Sequence, residues 1–201
     1  MSKIKDCGES LVKIKKFCPE LVIASDIEKD KTCYLRKTVV EKICRAQKLL
    51  PEGMTFYIES AWRSAEKQQN IFKHFVKKYQ EKVPSCTTEK EAIKIAHKYV
   101  APYKGKYASG HMTGGAVDLR LYKNGRQIPM RSSKLNYQEN SKPFQPKLSN
   151  YLQKNREIMF KVLKKVGFFN NPKEFWHWSY GDIYWAEHNN REAIYDICNK
   201  K

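Results

Sequence analysis

Residues 109–121, SGHMTGGAVDLRL, combine Gly110, Gly114 and Gly115 with an alternating apolar pattern. Glycine gives up side-chain packing, so a cluster of this kind is typical of a tight turn or of close backbone approach. The residues that follow alternate, and Val117 and Leu119 fall on one face, as in a half-buried strand. The segment therefore predicts a tight turn that leads directly into a strand of a β-sheet.

The rest of the chain contains both helical and strand patterns. Residues 36–50 repeat apolar side chains at helical spacing and stop at Pro51, whereas residues 54–60 alternate as a strand does. The dipeptide Asn124-Gly125 predicts a type I′ hairpin. Further helices are expected at about 65–80, from Thr88 to before Pro102, and at about 150–166, with an irregular stretch at 131–149 and a strand followed by a turn at 173–187.

These elements predict an α+β fold, with a single domain over residues 1–201 and a central antiparallel sheet flanked by helices. Hydrophobic residues make up 41% of the chain and aromatic residues 12%, which excludes an intrinsically disordered protein. No apolar run approaches the roughly 20 residues of a transmembrane helix, and the first residues lack the apolar core of a signal peptide. We therefore expect a cytoplasmic protein.

The chain carries a formal net charge of +18, from 39 lysines and arginines against 21 aspartates and glutamates. Such an excess attracts polyanions. The basic residues are scattered along the chain rather than collected in one block, and no nucleic-acid-binding motif accompanies them. We expect a solvated basic surface with at most weak association with anionic polymers, and no specific nucleic-acid site.

The six cysteines include no C-x-x-C pair, which argues against a structural zinc knuckle. An intracellular chain of this size needs no disulfides for stability. Cys44 falls on the apolar stripe of the helix predicted at 36–50, so we expect it to be a reduced thiol in the core.

Two of the five histidines stand in chemically distinctive surroundings. His111 lies in the glycine-rich turn, and His177 lies in the aromatic segment EFWHW. With Asp118, which alternates away from the aliphatic face of its strand, they make two imidazoles and one carboxylate. This set suits a catalytic zinc that keeps a fourth position open for water.

Glu174 precedes His177 by three residues and could serve as the base that takes a proton from attacking water. On a regular strand the two side chains would face opposite sides, so the hypothesis requires a turn near Phe175. The alternative is that Glu174 is an exposed strand-end charge and His177 a packed aromatic residue, and spacing alone does not decide between them.

Two longer segments match a known family. SGHMTGGAVDL resembles the S-x-H-x-x-G-x-A-x-D signature of the zinc D-alanyl-D-alanine peptidases, and EFWHWSYGDIYWA resembles their second signature, E-x-W-H followed by an aromatic residue and G-D. The branch most similar to this chain is that of the D-alanyl-D-alanine dipeptidases of the vancomycin-resistance type. The resemblance covers about residues 33–186 and leaves residues 1–32 as an N-terminal extension.

The resemblance implies one zinc ion per chain, with His111, Asp118 and His177 as its ligands. It also implies that Glu174 is the general base and that the substrate is a small peptide, D-alanyl-D-alanine. The fold implied is that of the zinc D,D-peptidases.

The resemblance gives Arg63 the role of holding the oxyanion of the tetrahedral intermediate, and it places Ser109 near the substrate. A fixed guanidinium beside a developing negative charge can contribute several kcal/mol. The dipeptidase branch anchors the free amino group of its substrate with an aspartate after the hairpin. This chain has no such aspartate, and Asn136 or Glu139 is expected to replace it, with Glu139 supplying the negative charge.

The sequence therefore predicts a zinc metallopeptidase that hydrolyses D-alanyl-D-alanine. Two alternatives stay open. One is a D,D-carboxypeptidase or endopeptidase that acts on peptidoglycan stem peptides. The other is a non-catalytic zinc-containing binding protein, against which the presence of Glu174 argues, since a purely structural zinc needs no base.

Overall fold

The structure, a computed structural model, describes residues 4–83 and 88–199. Its strands are β1 (Leu11–Lys13), β2 (Val22–Ile23), β3 (Tyr34–Arg36), β4 (Met54–Ser60), β5 (Ala116–Lys123), β6 (Arg126–Gln127), β7 (Phe169–Asn170) and β8 (His177–Ser179). Its helices are α1 (Ile14–Phe17), α2 (Ser25–Lys29), α3 (Lys37–Gln47), α4 (Ala65–Lys82), α5 (Glu89–Ala96), α6 (Tyr137–Ser141), α7 (Asn150–Lys165) and α8 (Ile183–His188), with a 3₁₀ turn at Gly110–Thr113.

The main sheet has six strands, in the order β2, β4, β5, β8 and β7, with β6 paired to β5 outside this path. The pairs are antiparallel, except that β2 and β4 are parallel. The long strands β4 and β5 bury Phe56, Ile58, Val117, Leu119 and Leu121 completely. The predicted α+β fold with a central antiparallel sheet flanked by helices is confirmed.

Most of the predicted helices are confirmed, with ends that follow local capping chemistry. Ser64 caps α4 by accepting a hydrogen bond from the Lys67 backbone, and Thr88 caps α5 in a capping box with Glu91. The hairpin at Asn124-Gly125 is also confirmed, since both residues have positive φ, as a type I′ turn requires.

Two segments differ from the sequence prediction. The stretch 131–149, expected to be irregular, contains helix α6, which Asn136 caps by accepting a hydrogen bond from the Glu139 backbone. The segment 173–187 continues beyond its strand and turn into helix α8, capped by Asp182. Both helices have only five or six residues, too few to give a periodic apolar signal, so that their caps are the main local indication.

The N-terminal residues, expected to be an extension, contribute to both sheets. Strand β1 pairs with β3, and β2 extends the edge of the main sheet beside β4. Ile14, Cys18 and Leu21 are buried in the main core. Residues from about 11 onward are therefore part of the same packed unit as the rest of the domain.

Five cysteines lie in the described part of the chain, and all five are free thiols, whereas Cys86 lies outside it. Cys44, expected in the core, is half-buried at the edge of α3. Within residues 4–83 and 88–199, no helix combines the length and apolarity needed to cross a bilayer.

Candidate active site

His111 is held in a buried turn immediately before β5. Its Nδ1 lies 2.8 Å from the carbonyl oxygen of Ala61, and its own carbonyl accepts a hydrogen bond from the Arg63 backbone at 3.1 Å. The contact with Ala61 fixes the proton on Nδ1 and leaves the Nε2 lone pair free. The turn thus presents one unprotonated ring nitrogen at the end of the sheet.

Two positions of this turn require glycine. A Cβ on Gly110 would lie 2.2 Å from the carboxylate of buried Asp182, so only glycine fits there. Gly114 has φ of +72°, in the left-handed region that favours glycine. The tight turn predicted from the sequence is therefore required by packing against α8 and by backbone conformation.

Asp118 and His177 are brought together by the sheet. They are direct partners in the antiparallel pairing of β5 and β8, although 59 residues separate them in the chain. His177 Nδ1 lies 2.9 Å from Asp118 Oδ1, and His111 Nε2 lies 3.2 Å from His177 Nδ1 and 3.4 Å from Asp118 Oδ2. Side chains from three separate segments therefore converge on one point.

This arrangement fits a tetrahedral metal ion. A zinc ion with bonds of 2.0–2.1 Å keeps its ligand atoms about 3.3–3.4 Å apart. His111 Nε2 lies at similar distances from two donors, 3.2 Å from His177 Nδ1 and 3.4 Å from Asp118 Oδ2. Among the described residues, His111, Asp118 and His177 form a group whose ligand atoms all lie within 4.8 Å of one another. Two imidazoles and one carboxylate match the donors that zinc prefers.

Burial and mutual contacts set the charges of these side chains. Burial lowers the pKa of His111 to about 4, and the nearby Arg63 guanidinium acts in the same direction. Burial alone would raise the pKa of Asp118, but its contacts with His111 and His177 outweigh burial and hold that pKa well below its usual range. His111 is thus neutral and Asp118 ionised near neutral pH, which are the forms that bind a metal.

The pKa of His177 shifts in the direction opposite to that of His111. Burial lowers its pKa, but the hydrogen bond and charge of Asp118 prevail, so that its pKa is raised overall. In the absence of a cation the Asp118 carboxylate therefore favours a proton on His177. A bound divalent cation would take the place of that proton.

Glu174 reaches the same cleft because the chain turns between it and His177. The His177 backbone N–H donates to the Glu174 carbonyl at 3.1 Å, which closes a turn through Phe175 and Trp176. This is the turn that the sequence hypothesis required. Burial raises the pKa of Glu174 above its ordinary value, and both Glu174 and His177 line the cleft.

Arg63 follows β4 and lies beside Asp118, with Nη2 at 3.5 Å from Oδ2. Its guanidinium donates to the Ser60 hydroxyl at 2.8 and 3.1 Å and to the Gln68 side-chain oxygen at 3.2 Å. Gln68 in turn donates to the Ala101 carbonyl at 2.8 Å. The sequence analysis missed Ser60 and Gln68; the available signal was a glutamine on the buried face of α4.

The cleft around these side chains has a volume of about 1220 Å³. Ser109 is buried and lines it beside His111, in keeping with a position near a substrate. The opposite walls come from α4 and the residues after α5 on one side and from α6 on the other. Gln138 of α6 donates to the Tyr99 hydroxyl at 2.5 Å and so joins the two walls.

Asn136 and Glu139, expected to bind the amino group of the substrate, do not line the cleft. Their side chains cap α6 reciprocally, and Glu139 also forms a salt bridge with Lys147 at 2.6 Å. Helix α6, which the sequence analysis did not predict, uses both side chains for its own N-terminus. The neighbouring residues Tyr137 and Gln138 face the cleft instead.

A second group missed by the sequence analysis holds the His111 turn from behind. Arg36, almost completely buried, donates from Nε to the Thr113 carbonyl at 2.8 Å and pairs with Asp6. The Cys198 backbone donates to the Met112 carbonyl at 3.1 Å. Residues near both ends of the chain therefore fix the backbone that carries His111.

Comparison with known proteins gives consistent matches. A family model described as D-ala-D-ala dipeptidase matches residues 15–194. The chain is similar to a curated D-alanyl-D-alanine dipeptidase of Synechocystis sp. (strain ATCC 27184 / PCC 6803 / Kazusa), at 25% identity over 213 residues that cover 91% of this chain and 86% of the relative.

Two solved structures are also similar to the chain. One is VanYB in complex with D-alanine-D-alanine, with a TM-score of 0.48, 19% identity and 80% of each chain covered. The other is a mutant of the vancomycin resistance D,D-pentapeptidase VanY in complex with Zn(II), with a TM-score of 0.46, 18% identity, and 80% of this chain and 82% of that chain covered.

Proposed function

This chain belongs to the D-ala-D-ala dipeptidase family of peptidases, and from that membership we propose that it is a zinc enzyme that hydrolyses D-alanyl-D-alanine. The observation that carries the proposal is the convergence of His111, Asp118 and His177 on one point of a cleft that Glu174 also lines. A non-catalytic binding protein would need the three ligands but not the half-buried carboxylate of Glu174 beside them.

His111, Asp118 and His177 would hold the zinc through His111 Nε2, His177 Nδ1 and a carboxylate oxygen of Asp118. When bound there, zinc would supply Lewis-acid polarisation of the scissile carbonyl group and would lower the pKa of a coordinated water to about 7. The remaining steps fall to residues of this chain, one as a proton carrier and one as a fixed positive charge.

Glu174 is the proposed general base. Its carboxylate takes the proton of the attacking water and then delivers it to the nitrogen of the departing D-alanine. The raised pKa of Glu174, which burial causes, supports this role because a base is most effective when its pKa approaches the working pH. Among the described residues, its side chain accepts one hydrogen bond, from the Asn171 amide to Oε2 at 3.4 Å, which leaves the other carboxylate oxygen available for proton transfer.

Arg63 is the proposed stabiliser of the oxyanion. Ser60, Gln68 and Asp118 hold its guanidinium in place before the substrate arrives. A preorganised charge of this kind acts on the transition state without a reorganisation cost during the reaction. Ser109, next to the His111 turn, is the proposed substrate contact.

Replacement of Arg63 by alanine is expected to lower kcat by about 10²–10³-fold while the protein keeps its zinc. The measurement is steady-state hydrolysis of D-alanyl-D-alanine together with metal content. Arg126→Ala, which removes an exposed arginine of β6, is the control and should leave kcat unchanged. An Arg63→Ala variant that matches this control would exclude the oxyanion role.

A second candidate function is a D,D-carboxypeptidase that acts on longer peptides ending in D-alanyl-D-alanine. The size of the cleft, about 1220 Å³, favours it, and so does the use of Asn136 and Glu139 in capping α6 rather than in binding an amino group. The family description and the dipeptidase relative favour the dipeptide. The two candidates share the same site chemistry and differ only in substrate length.

Measurement of kcat/KM for D-alanyl-D-alanine, its N-acetyl derivative and a stem pentapeptide distinguishes the two candidate functions. A dipeptidase must recognise the free ammonium group, so acetylation is expected to lower kcat/KM by about tenfold or more. Equal or faster hydrolysis of the blocked or longer substrates would assign the chain to the carboxypeptidases.

A further inference from the structure

Segments at both ends of the described chain contact each other, although they lie outside residues 15–194, the part that matches the family. The Asp196 backbone donates to the Asp6 carboxylate at 2.8 Å. Tyr195, which is 1% exposed, donates from its hydroxyl group to the Glu9 carboxylate. We call these two contacts between the N-terminal and C-terminal segments the terminal clasp.

Arg36 connects the terminal clasp to the turn that carries His111. Its guanidinium pairs with the Asp6 carboxylate, at 2.5 Å from Nη2 and 3.2 Å from Nη1, and Nη2 also donates to the Asp196 carbonyl at 3.2 Å. The remaining nitrogen, Nε, donates to the Thr113 carbonyl at 2.8 Å. Because the guanidinium is planar and rigid, the carboxylate at one edge fixes the direction in which Nε points. The terminal clasp therefore sets the position of the Thr113 carbonyl.

The backbone of Cys198, just beyond the terminal clasp, joins two segments of the active site. Its N–H donates to the Met112 carbonyl at 3.1 Å, directly after His111. Its carbonyl accepts from Trp62 Nε1 at 3.1 Å, directly before Arg63. Since the Arg63 backbone also donates to the His111 carbonyl at 3.1 Å, these contacts close a ring of hydrogen bonds. The C-terminal segment thus holds together the backbone of one proposed zinc ligand and that of the proposed oxyanion stabiliser.

The position of His111 Nε2 depends on the backbone that these contacts hold. Arg36 fixes the end of the turn twice, since its own backbone N–H donates to the Gly114 carbonyl at 3.0 Å. The His111 ring is held through Nδ1 by the Ala61 carbonyl at 2.8 Å, which leaves Nε2 as the ligand atom. A zinc site requires each donor atom within about 0.2 Å of its ideal distance. Even a small displacement of this turn would therefore weaken zinc binding.

The chemistry of the pair formed by Arg36 and Asp6 favours a positioning role over a purely stabilising one. Arg36 is 3% exposed, so its charge has lost nearly all of its hydration. A buried ion pair gains little net stability over apolar packing, because the cost of removing both charges from water offsets their attraction. What the pair provides in addition is direction, since charged hydrogen bonds fix the angle as well as the distance between the groups.

We propose that Arg36, held by the terminal clasp, is a positioning residue that keeps His111 in the geometry of a zinc ligand. Arg36 acts through the Thr113 and Gly114 carbonyls and touches neither the metal nor the substrate. Residues outside the part of the chain that matches the family therefore set its affinity for zinc. The proposal rests on the proposed function, because that function is what assigns a zinc ion to the site.

Zinc affinity of the full chain, measured by competition with a chelator of known affinity, tests this role. Asp6→Asn and Arg36→Lys are each expected to raise the Kd for zinc by about tenfold, as loss of an outer partner of a metal ligand typically does. Asn removes the charge that orients Arg36, and Lys lacks the planar fork that spans Asp6 and Thr113. Asp6→Glu restores the carboxylate and should keep most of the affinity.

Asn155→Ala is the matched control. It removes another buried side chain that donates to a backbone carbonyl, that of Pro129 at 2.8 Å, and neither residue lines the cleft. This variant should lower the unfolding temperature and leave the Kd for zinc within about twofold of the original. Tyr195→Phe, which removes the hydroxyl contact with Glu9 and keeps the ring, should change the Kd in the same direction as Asp6→Asn by a smaller factor.

The measurements are made on protein whose circular dichroism shows it to be folded, well below its unfolding temperature. The proposal is overturned if the folded variants of the clasp bind zinc as tightly as the unsubstituted protein, or if Asn155→Ala weakens zinc binding as much as they do. Tyr195→Phe decides the question if the two stronger variants do not fold. Failure of the proposed function is distinct, since it would appear as absence of hydrolysis by the zinc-loaded, unsubstituted protein. A protein that binds no zinc at this site would overturn both proposals.

Discussion

Replacement of Glu174 by glutamine is expected to lower kcat by about 10²–10⁴-fold and to leave the bound zinc in place. Glutamine has nearly the same shape but cannot accept the proton of the attacking water. Because Glu174 lies outside the cluster of three ligand atoms, its loss should remove proton transfer without removing the metal. Hydrolysis of D-alanyl-D-alanine and metal content, measured on the same preparation, check the two halves of this expectation.

Glu187→Gln is the matched control for this experiment. Glu187 also lines the cleft, but its carboxylate pairs with Lys106 at 2.8 Å. Its substitution should leave kcat within a few fold of the original value. If Glu174→Gln loses its zinc as well as its activity, Glu174 is a metal ligand and the proposed division of roles is wrong.

Replacement of His177 by alanine is expected to abolish zinc binding at stoichiometric metal and to reduce activity to the level of the metal-free protein. Two ligands, His111 and Asp118, would remain, whereas catalytic zinc sites in proteins use three. Metal analysis after dialysis and activity before and after chelation check the result. In the unsubstituted protein, zinc added after chelation should restore activity.

His188→Ala provides the matched control for the metal site. His188 lines the same cleft, where its ring stacks on Phe169 at 4.2 Å, and it is not a member of the ligand cluster. This variant should bind one equivalent of zinc. Full zinc retention by His177→Ala would mean that the three side chains do not share an ion.

The features of the fold and site that could be predicted from the sequence are those that depend on neighbouring residues. The alternation in β4 and β5, the apolar stripes of α3, α4 and α7, and the hairpin at Asn124-Gly125 each depend on residues within a few positions of one another. The two signature segments also predict the chemistry, because zinc ligation and general-base catalysis need particular side chains. The roles of His111, Asp118, His177, Glu174 and Arg63 stay predictions until the variants are measured.

The misjudged parts have a common physical cause. Helix α6 is too short to show periodicity, and its capping residues Asn136 and Glu139 were interpreted as ligands for a substrate. The same polar side chains that bind a substrate also satisfy the free backbone groups at a helix end, and sequence does not say which partner is nearer.

The sequence by itself determined which side chains are available for catalysis and which segments form helices, turns and strands, because those depend on residue type and short spacing. Only the tertiary structure decided how they meet. Pairing of β5 with β8 brings Asp118 opposite His177, and the turn after Glu174 brings that carboxylate to the same cleft. The pairing of β2 with β4, the contact of Arg36 with the His111 turn, and the stacking of Arg120 and Arg131 on Trp176 likewise join residues far apart in the chain. Such contacts depend on the burial of whole elements against one another, which no short stretch of sequence records.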